Sequence, residues 1–491
     1  MKEVSLVWFR LDLRLADNPA LSAAIKRGAV IPVFIHAPEE EAPWSPGGAS
    51  LWWLHQSLAA FDASLRELGS RLVIRRGPTL ETLQALVKET SATAVFWNRR
   101  YEPAVTARDT QIKTTLRDAG LLVESFNGAL LHEPWTIQNQ SKKPFQVFTP
   151  FWKHCLTKPD PAEPLPAPKS LTAPERWPKS LALAELELEP RIKWAEGMRA
   201  AWQPGEAGAG KMLKEFLANA FADYTDKRNR PDLRGTSRLS PYLHFGEISP
   251  RQIWHAVAAD GRRRTSGPPQ NRLLTSAATK DWRTSQFLAE VGWREFAHHL
   301  LHHFSHTTTE PLREDFKKFP WRKDAAFLKA WQKGKTGYPI VDAGMRELWT
   351  TGWMHNRVRM IVASFLVKDL LLSWREGAAW FWDTLVDADL AQNTLGWQWT
   401  AGCGADAAPY FRVFNPVSQG EKFDPRGDYV RKWCPELARL PDEWLHQPDQ
   451  APPVVLARAG VELGRTYPAP VVSHAIAREV ALEAFAKLKG K

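Results

Sequence analysis

The sequence predicts a doubly wound α/β domain with a parallel sheet at the N-terminus, followed by an all-α C-terminal domain. Two observations carry this expectation. The first third alternates short, continuously apolar, β-rich runs with amphipathic stretches of helical length, the rhythm of βαβ units. Beyond a proline-rich stretch the strand rhythm stops, and apolar residues recur at spacings of three and four. The chain has 491 residues, enough for two or three domains with sizeable cores.

The strands are read at Val4–Phe9, Ala29–His36, Arg71–Arg76, Thr93–Asn98 and Leu121–Phe126. Helical patterns such as NPALSAAIKRG and TLETLQALVKET lie between them. No GxGxxG follows the first strand, which runs instead into RLDLRLADN (Arg10 to Asn18), so a standard dinucleotide fingerprint is absent. Eight prolines between Lys158 and Pro190 mark a segment that crosses a surface as a linker. Helical spacing resumes in Gly208–Phe221, in SPRQIWHAVAAD and in WREFAHHLLHHF, punctuated by Pro and Gly. The segments are therefore an α/β domain over 1–130, an interdomain linker over 131–200 and a helical domain over 201–485. No internal repeat is present.

Composition narrows the class. Hydrophobic residues make up 44% and charged residues 24%, as in ordinary globular proteins. The longest apolar runs, such as MIVASFLV, are too short to span a bilayer, and the N-terminus enters a strand directly, so no signal peptide or membrane anchor is expected. Cys155, Cys403 and Cys434 lie far apart without a CxxC. This spacing argues against a disulfide scaffold, a zinc site or an iron–sulfur cluster, and for the cytoplasm. The net charge of +11 suits a polyanionic partner or simple solubility. Trp 24 against Tyr 7 is an unusual balance. It fits a large indole-rich core, or stacking and electron transfer, and composition alone leaves both open.

Four polar-aromatic clusters stand out in the helical domain. In Arg234–Gln252, Thr236, Ser237 and Ser240 surround a helix start, which suits a phosphate or an ordinary N-cap. In AEVGWREF, Glu290 and Trp293 fall at i, i+3 on one helix face; they suit a stacked, hydrogen-bonded base or a plain surface pair. In GWMHNRVRM (Gly352 to Met360), Asn356 and Met360 fall at i, i+4, and Trp353 at i−3 extends the same face if the whole stretch is helical. Arg359 lies beside that face and Arg357 points elsewhere; guanidinium groups suit phosphates or buried carboxylates. In Asp383–Trp399, Asp387 and Asp389 need partners if buried. Trp397 and Trp399, two apart, point to roughly opposite sides. No ligand set for a metal accompanies the aspartates.

The ordered motifs VWFRLDLRLADNPAL, GTSRLSPYLHFG, GKTGYPIVDAGMREL, GWMHNRVRM and DADLAQNTLGWQW resemble the photolyase/cryptochrome family over essentially the whole chain. The resemblance implies FAD, bound in a U shape in the helical domain. Tyr224, Thr236, Ser237, Arg238, Leu239 and Ser240 would hold the pyrophosphate and its neighbours. Asp387, Ala388 and Asp389 would line the flavin, Arg359 would pair with Asp387, and Asn393 would sit at flavin N5. Phe287 stands where related enzymes often carry Trp. Plant cryptochromes carry Asp at the Asn393 position; a neutral Asn suits the fully reduced flavin used in repair.

Within the family, this chain resembles the enzymes acting on cyclobutane pyrimidine dimers at Glu290, Trp293, Asn356, Met360 and Trp399. Enzymes for (6-4) photoproducts carry catalytic histidines in the equivalent helix, a pattern His355 alone does not fit. The resemblance implies light-driven repair: the lesion is flipped from the duplex, and photoexcited reduced FAD passes it an electron that later returns. Trp293 and Trp399 would be apolar walls and Met360 a flexible filler. Glu290 and Asn356 would hydrogen-bond the pyrimidine edges. Arg228, Arg357, Arg412 and Gln419 match family positions that contact DNA. Trp397, Trp374 and Trp321 match its electron relay.

A second, antenna chromophore is implied in the α/β domain, methenyltetrahydrofolate or a deazaflavin. Ala104 and Val105 stand where folate-binding members commonly carry Asn-Glu. The wording of several motifs is similar to the class III bacterial branch near plant cryptochromes, whose members bind folate differently, and this favours folate. The expected protein is a cytoplasmic monomer acting on UV-damaged DNA. The alternatives are a blue-light photoreceptor that binds FAD without repairing, and a flavin-independent DNA-binding protein.

Overall fold

In a computed structural model the chain is described over residues 3–266, 282–407 and 411–488. Five strands, β1 (Glu3–Phe9), β2 (Gly28–His36), β3 (Val73–Arg76), β4 (Ala94–Asn98) and β5 (Leu122–Phe126), form one sheet in the order β3-β2-β1-β4-β5. All neighbouring pairs are parallel. The connections carry α1 (Pro19–Ile25), α2 (Gly48–Glu67), α3 (Thr79–Thr90) and α4 (Pro103–Asp118). Strand order reverses between β1 and β4, which is the doubly wound arrangement expected from the apolar runs. Leu6, Trp8, Ile31, Val33, Val73, Val95 and Trp97 are buried in its core.

The remaining helices follow as α5 (Phe148–Leu156), α6 (Glu196–Ala201), α7 (Glu206–Asn219), α8 (Tyr224–Lys227), α9 (Ser240–His244), α10 (Pro250–Ser266) and α11 (Gln286–His303). Then come α12 (Ala325–Gln332), α13 (Pro339–Thr351), α14 (Asn356–Ser364), α15 (Trp374–Thr384), α16 (Leu390–Ala401), α17 (Pro416–Phe423) and α18 (Asp428–Trp433), with a C-terminal helix at His474–Leu488. By proximity the chain falls into two compact units. One is Met1–Ala195, Trp202–Ala222 and Ser237–Ser305; the other is Glu196–Ala201, Asp223–Thr236 and His306–Lys491. These units cut across the sequence segments, which group residues by element type instead of by contact.

In the first unit, the missing glycine-rich loop after β1 is replaced by a buried polar network. Arg10 pairs with Asp109 at 2.7 Å and donates to the Asn98 carbonyl. Asn98 donates to Asp12 at 2.7 Å and to Asn18 at 2.8 Å. Arg14 donates to the carbonyls of Gly128 and Gly246 at 2.6 and 2.8 Å. Gly246 itself has φ +63, and a Cβ there would lie 2.2 Å from the Leu11 carbonyl, so both backbone and space require glycine. The switch point of the sheet is thus filled by side chains of the RLDLRLADN motif. The proline-rich segment is no free tether: Leu171 N–H donates to Leu68 O, Leu181 N–H to Ile74 O, and Thr172 O accepts from Val30 N–H.

The second unit is helical. A Cβ at Gly377 of α15 would lie 2.0 Å from the Trp397 ring of α16, and one at Gly344 of α13 would lie 2.4 Å from Val358 of α14. Small residues thus set how closely these helices approach. Past Ser364 the helix widens into a buried π-helical turn, Phe365–Asp369. There Lys368 donates to the Arg412 carbonyl, and Asp369 holds His474 of the C-terminal helix at 2.5 Å.

Candidate active site

The second unit carries most of the expected site. Helix α13 ends at Gly352, whose φ of +67 is the left-handed conformation usual at a C-terminal cap. Trp353 to His355 form a connection, and α14 starts only at Asn356 with His355 as its N-cap. The face expected to run from Trp353 to Met360 is therefore shorter. Trp353 lies before the helix and is buried, because the glycine stops one helix and the histidine starts another. Asn356 is exposed and Met360 half-buried, one turn apart on α14.

His355 accepts the Arg357 backbone N–H through Nδ1 at 3.2 Å. On its other side the ring approaches the Arg228 backbone, beyond ordinary hydrogen-bond geometry at Nε2. Burial, then the charges of Arg357 and Arg359, push its pKa down to about 3, so the ring is neutral.

The two arginines of α14 differ in their partners. Arg359 sets one Nη 3.0 and 2.8 Å from the two oxygens of Asp387, and its Nε donates to the Met354 carbonyl at 2.8 Å. Arg357 is the arginine for which the family likeness implies a DNA phosphate contact. In this structure it is half-buried, donating to Asn229 Oδ1 through Nε at 3.2 Å and Nη2 at 2.8 Å, with its guanidinium 4.5 Å from the Phe423 ring centre.

Asp387 and Ala388 are buried in the loop before α16, and Asp389 is that helix's N-cap, accepting the Gln392 N–H at 2.9 Å. Asn393, one turn further, donates its amide N–H to the Ala378 carbonyl at 3.1 Å. Next on that side of α16 is Gly396, where an added Cβ would meet nothing within 4 Å. Gly396 is exposed. Trp397 is fully buried, while Trp399 is half-buried and donates to the Asp406 carbonyl at 3.1 Å. Trp374, at the start of α15, is buried with Arg375 4.9 Å from its ring centre; Trp321 is half-buried, 4.3 Å from Phe319. Tyr224 is buried at the start of α8, and Arg228 lies just past its end, half-buried. Thr236 also belongs to this unit. Arg412 is exposed and Gln419, on α17, is half-buried.

The other expected residues fall in the first unit. Helix α9 starts at Ser240, but its cap is Leu239, so the hydroxyls do not serve as an ordinary N-cap there. Ser237 Oγ accepts the Leu239 N–H only at 3.4 Å. Arg238 has φ +53 and lies 4.3 Å over the Trp202 ring, so a strained backbone and an indole platform aim this turn. On α11, Phe287 is buried 4.5 Å from Phe216. Glu290 accepts from Gln286 Nε2 at 2.9 Å. Trp293 is stacked on Phe148 at 3.9 Å with an interplanar angle of 11°, leaving one ring face for anything else.

Sequence reasoning missed Gln286, Phe148 and Asn229. Gln286 stands one turn before Glu290, and that spacing could have revealed it. The other two meet their partners only through the fold.

Within the second unit, the buried Asp387 carboxylate balanced by Arg359 and the Asn393 amide are groups that suit the polar edge of a flavin. Comparison with known proteins decides the family. Residues 5–169 match the family model described as DNA photolyase, and residues 287–487 the FAD binding domain of DNA photolyase. The deoxyribodipyrimidine photo-lyase of Agrobacterium fabrum is 50% identical over 486 residues, 99% of this chain and 98% of that one. The chain belongs to the DNA photolyase/cryptochrome family. Cryptochrome-1 of Arabidopsis thaliana is 43% identical over 95% of this chain and 68% of its own length. Among solved structures, a bacterial class III photolyase from Agrobacterium tumefaciens superposes with a TM-score of 0.93 at 49% identity, covering 100% of this chain and 98% of that one. As in other photolyase-family chains, a parallel α/β domain precedes a helical FAD-binding domain. Among the described residues no helix is long and apolar enough to cross a membrane.

Proposed function

We propose that the chain is a deoxyribodipyrimidine photo-lyase that repairs cyclobutane pyrimidine dimers in UV-damaged DNA. The observation that carries this reading is one face of α14. It presents exposed Asn356 and half-buried Met360 together, while Arg359 on the same helix is committed to Asp387. An amide beside a thioether suits a flipped, uncharged pyrimidine pair: Asn356 hydrogen-bonds an edge, and Met360 adapts to the puckered ring.

FAD, bound in reduced form and excited by light, would supply the electron that opens the cyclobutane ring. The chain's own residues do the rest. Asp387, Ala388, Asp389, Arg359 and Phe287 hold the isoalloxazine side, and Tyr224 with Thr236 to Ser240 holds the pyrophosphate. Asn393, a neutral amide at flavin N5, favours the reduced state. Glu290 hydrogen-bonds a pyrimidine edge and, when it carries or shares a proton, steadies charge on the lesion after electron arrival. Trp293 and Trp399 wall the lesion, and Trp397, Trp374 and Trp321 return electrons to oxidised protein. Arg228, Arg357, Arg412 and Gln419 grip the DNA backbone, so affinity falls with salt. The protein acts as a cytoplasmic monomer. Its residue 1–130 domain carries an antenna chromophore, with folate favoured over deazaflavin.

The test is reduced protein mixed with dimer-containing oligothymidine under blue light. Light-dependent disappearance of dimers is expected. Retained dimers alongside normal flavin photoreduction would instead support a cryptochrome-type photoreceptor.

A further inference from the structure

Two arginines two residues apart on α14 are held in chemically different ways. Arg359 meets a carboxylate, which cancels its charge. Arg357 meets the amide oxygen of Asn229, which does not. Among the described residues Arg357 forms no ion pair. The acidic groups nearby are already engaged: Asp232 pairs with Arg230, and Asp424 accepts the backbone N–H groups of Tyr429 and Val430.

Stability of the fold does not explain this arrangement. Arg357 lies in the first turn of α14, where the helix dipole disfavours a cation. It is half-buried, and burial together with Arg228 pushes its guanidinium below the ordinary range. Phe423 beneath the guanidinium orients it without neutralising it. An uncompensated cation kept in place at such cost calls for an anion from outside the chain.

We propose that Asn229 is a positioning residue that presents Arg357 to a DNA phosphate as a full, uncancelled positive charge. The inference rests on the DNA-repair reading above and adds to it a reason for an amide where a carboxylate would bind the guanidinium more tightly. Asp at this position would keep the geometry and strengthen the hold on Arg357, yet cancel the charge that attracts phosphate. A purely structural Asn229 would therefore tolerate Asp; an electrostatic one would not.

The experiment measures binding of dimer-containing oligonucleotide across a salt series for wild type, Asn229→Asp, Arg357→Ala and the double variant, with flavin absorbance and Tm recorded for each. Asn229→Asp is expected to keep its Tm and flavin, to bind several-fold more weakly at low salt, and to lose about 1 from the slope of log affinity against log salt. In the Arg357→Ala background the same change should have little further effect. Unchanged binding in Asn229→Asp overturns the inference. So does an equal loss with and without Arg357, which would mean general repulsion by the added carboxylate. Wild-type protein that does not prefer dimer-containing DNA, in contrast, sinks the repair reading itself.

Discussion

Arg359 places a single guanidinium nitrogen 3.0 and 2.8 Å from the two carboxylate oxygens of Asp387, joining α14 to the loop that leads into α16. The Asp387 side chain is 2% exposed and that of Arg359 22%, so this is a mostly buried pair. Its second arm, Arg359 Nε to the Met354 carbonyl, fixes the connection that precedes α14. One ion pair thus sets α14 against the loop that leads into α16.

Removing the carboxylate strands a partly buried cation. Asp387→Ala should destabilise the protein by about 3 kcal/mol and reduce FAD content in parallel. Denaturant unfolding and flavin-to-protein absorbance ratios read the two effects. A variant with full flavin and wild-type stability would show that the pair is incidental.

Asn356 should separate from this behaviour. It is exposed, at the first position of α14, and is no part of the Arg359–Asp387 pair. Losing one hydrogen bond to a pyrimidine edge corresponds to about tenfold in repair. Asn356→Ala should therefore lower repair of dimer oligonucleotide roughly tenfold while FAD content stays at the wild-type level. Equal loss of both would mark the residue as structural.

Trp374 offers a test of the indole excess. It is buried at the start of α15, against α16, which bears Trp397. Trp331 is equally buried, and its ring lies 6.2 Å from Trp397, but it bonds the Val362 carbonyl through Nε1. If Trp374 relays electrons, Trp374→Phe slows light-driven reduction of the oxidised protein far more than Trp331→Phe does. Transient absorption of the flavin after a blue flash distinguishes them, and equal slowing would place both indoles in the core alone.

The fold was legible because its signals are local. Continuous apolar runs such as AVIPVFIH mark buried parallel strands, and Gly or Pro punctuates the helices. The spacing of Glu290 with Trp293, and of Asn356 with Met360, was readable for the same reason. Helical periodicity carried across Gly352 misplaces Trp353, although a glycine there is itself a stop signal. Arg359 with Asp387, 28 residues apart, came only from family likeness. Asn229 with Arg357, 128 residues apart, came from neither. No periodicity links residues that meet only after the chain has folded.

The neutral state of His355 has a consequence for pH. Its ring accepts the Arg357 N–H at the head of α14 and is buried near two arginines, which together hold its pKa at about 3 against an ordinary 6.5. The folded value is the depressed one, so the stability it contributes is complete above pH 6.5 and is lost progressively as pH falls toward 3. By pH 5 the loss is about 2 kcal/mol. His355→Asn keeps an acceptor for the cap N–H but cannot take up a proton. Thermal unfolding over this interval should show a steep acid limb in wild type and a flatter one in the variant. Identical limbs would mean that protonation elsewhere, and not at the head of α14, controls the acid sensitivity of the fold.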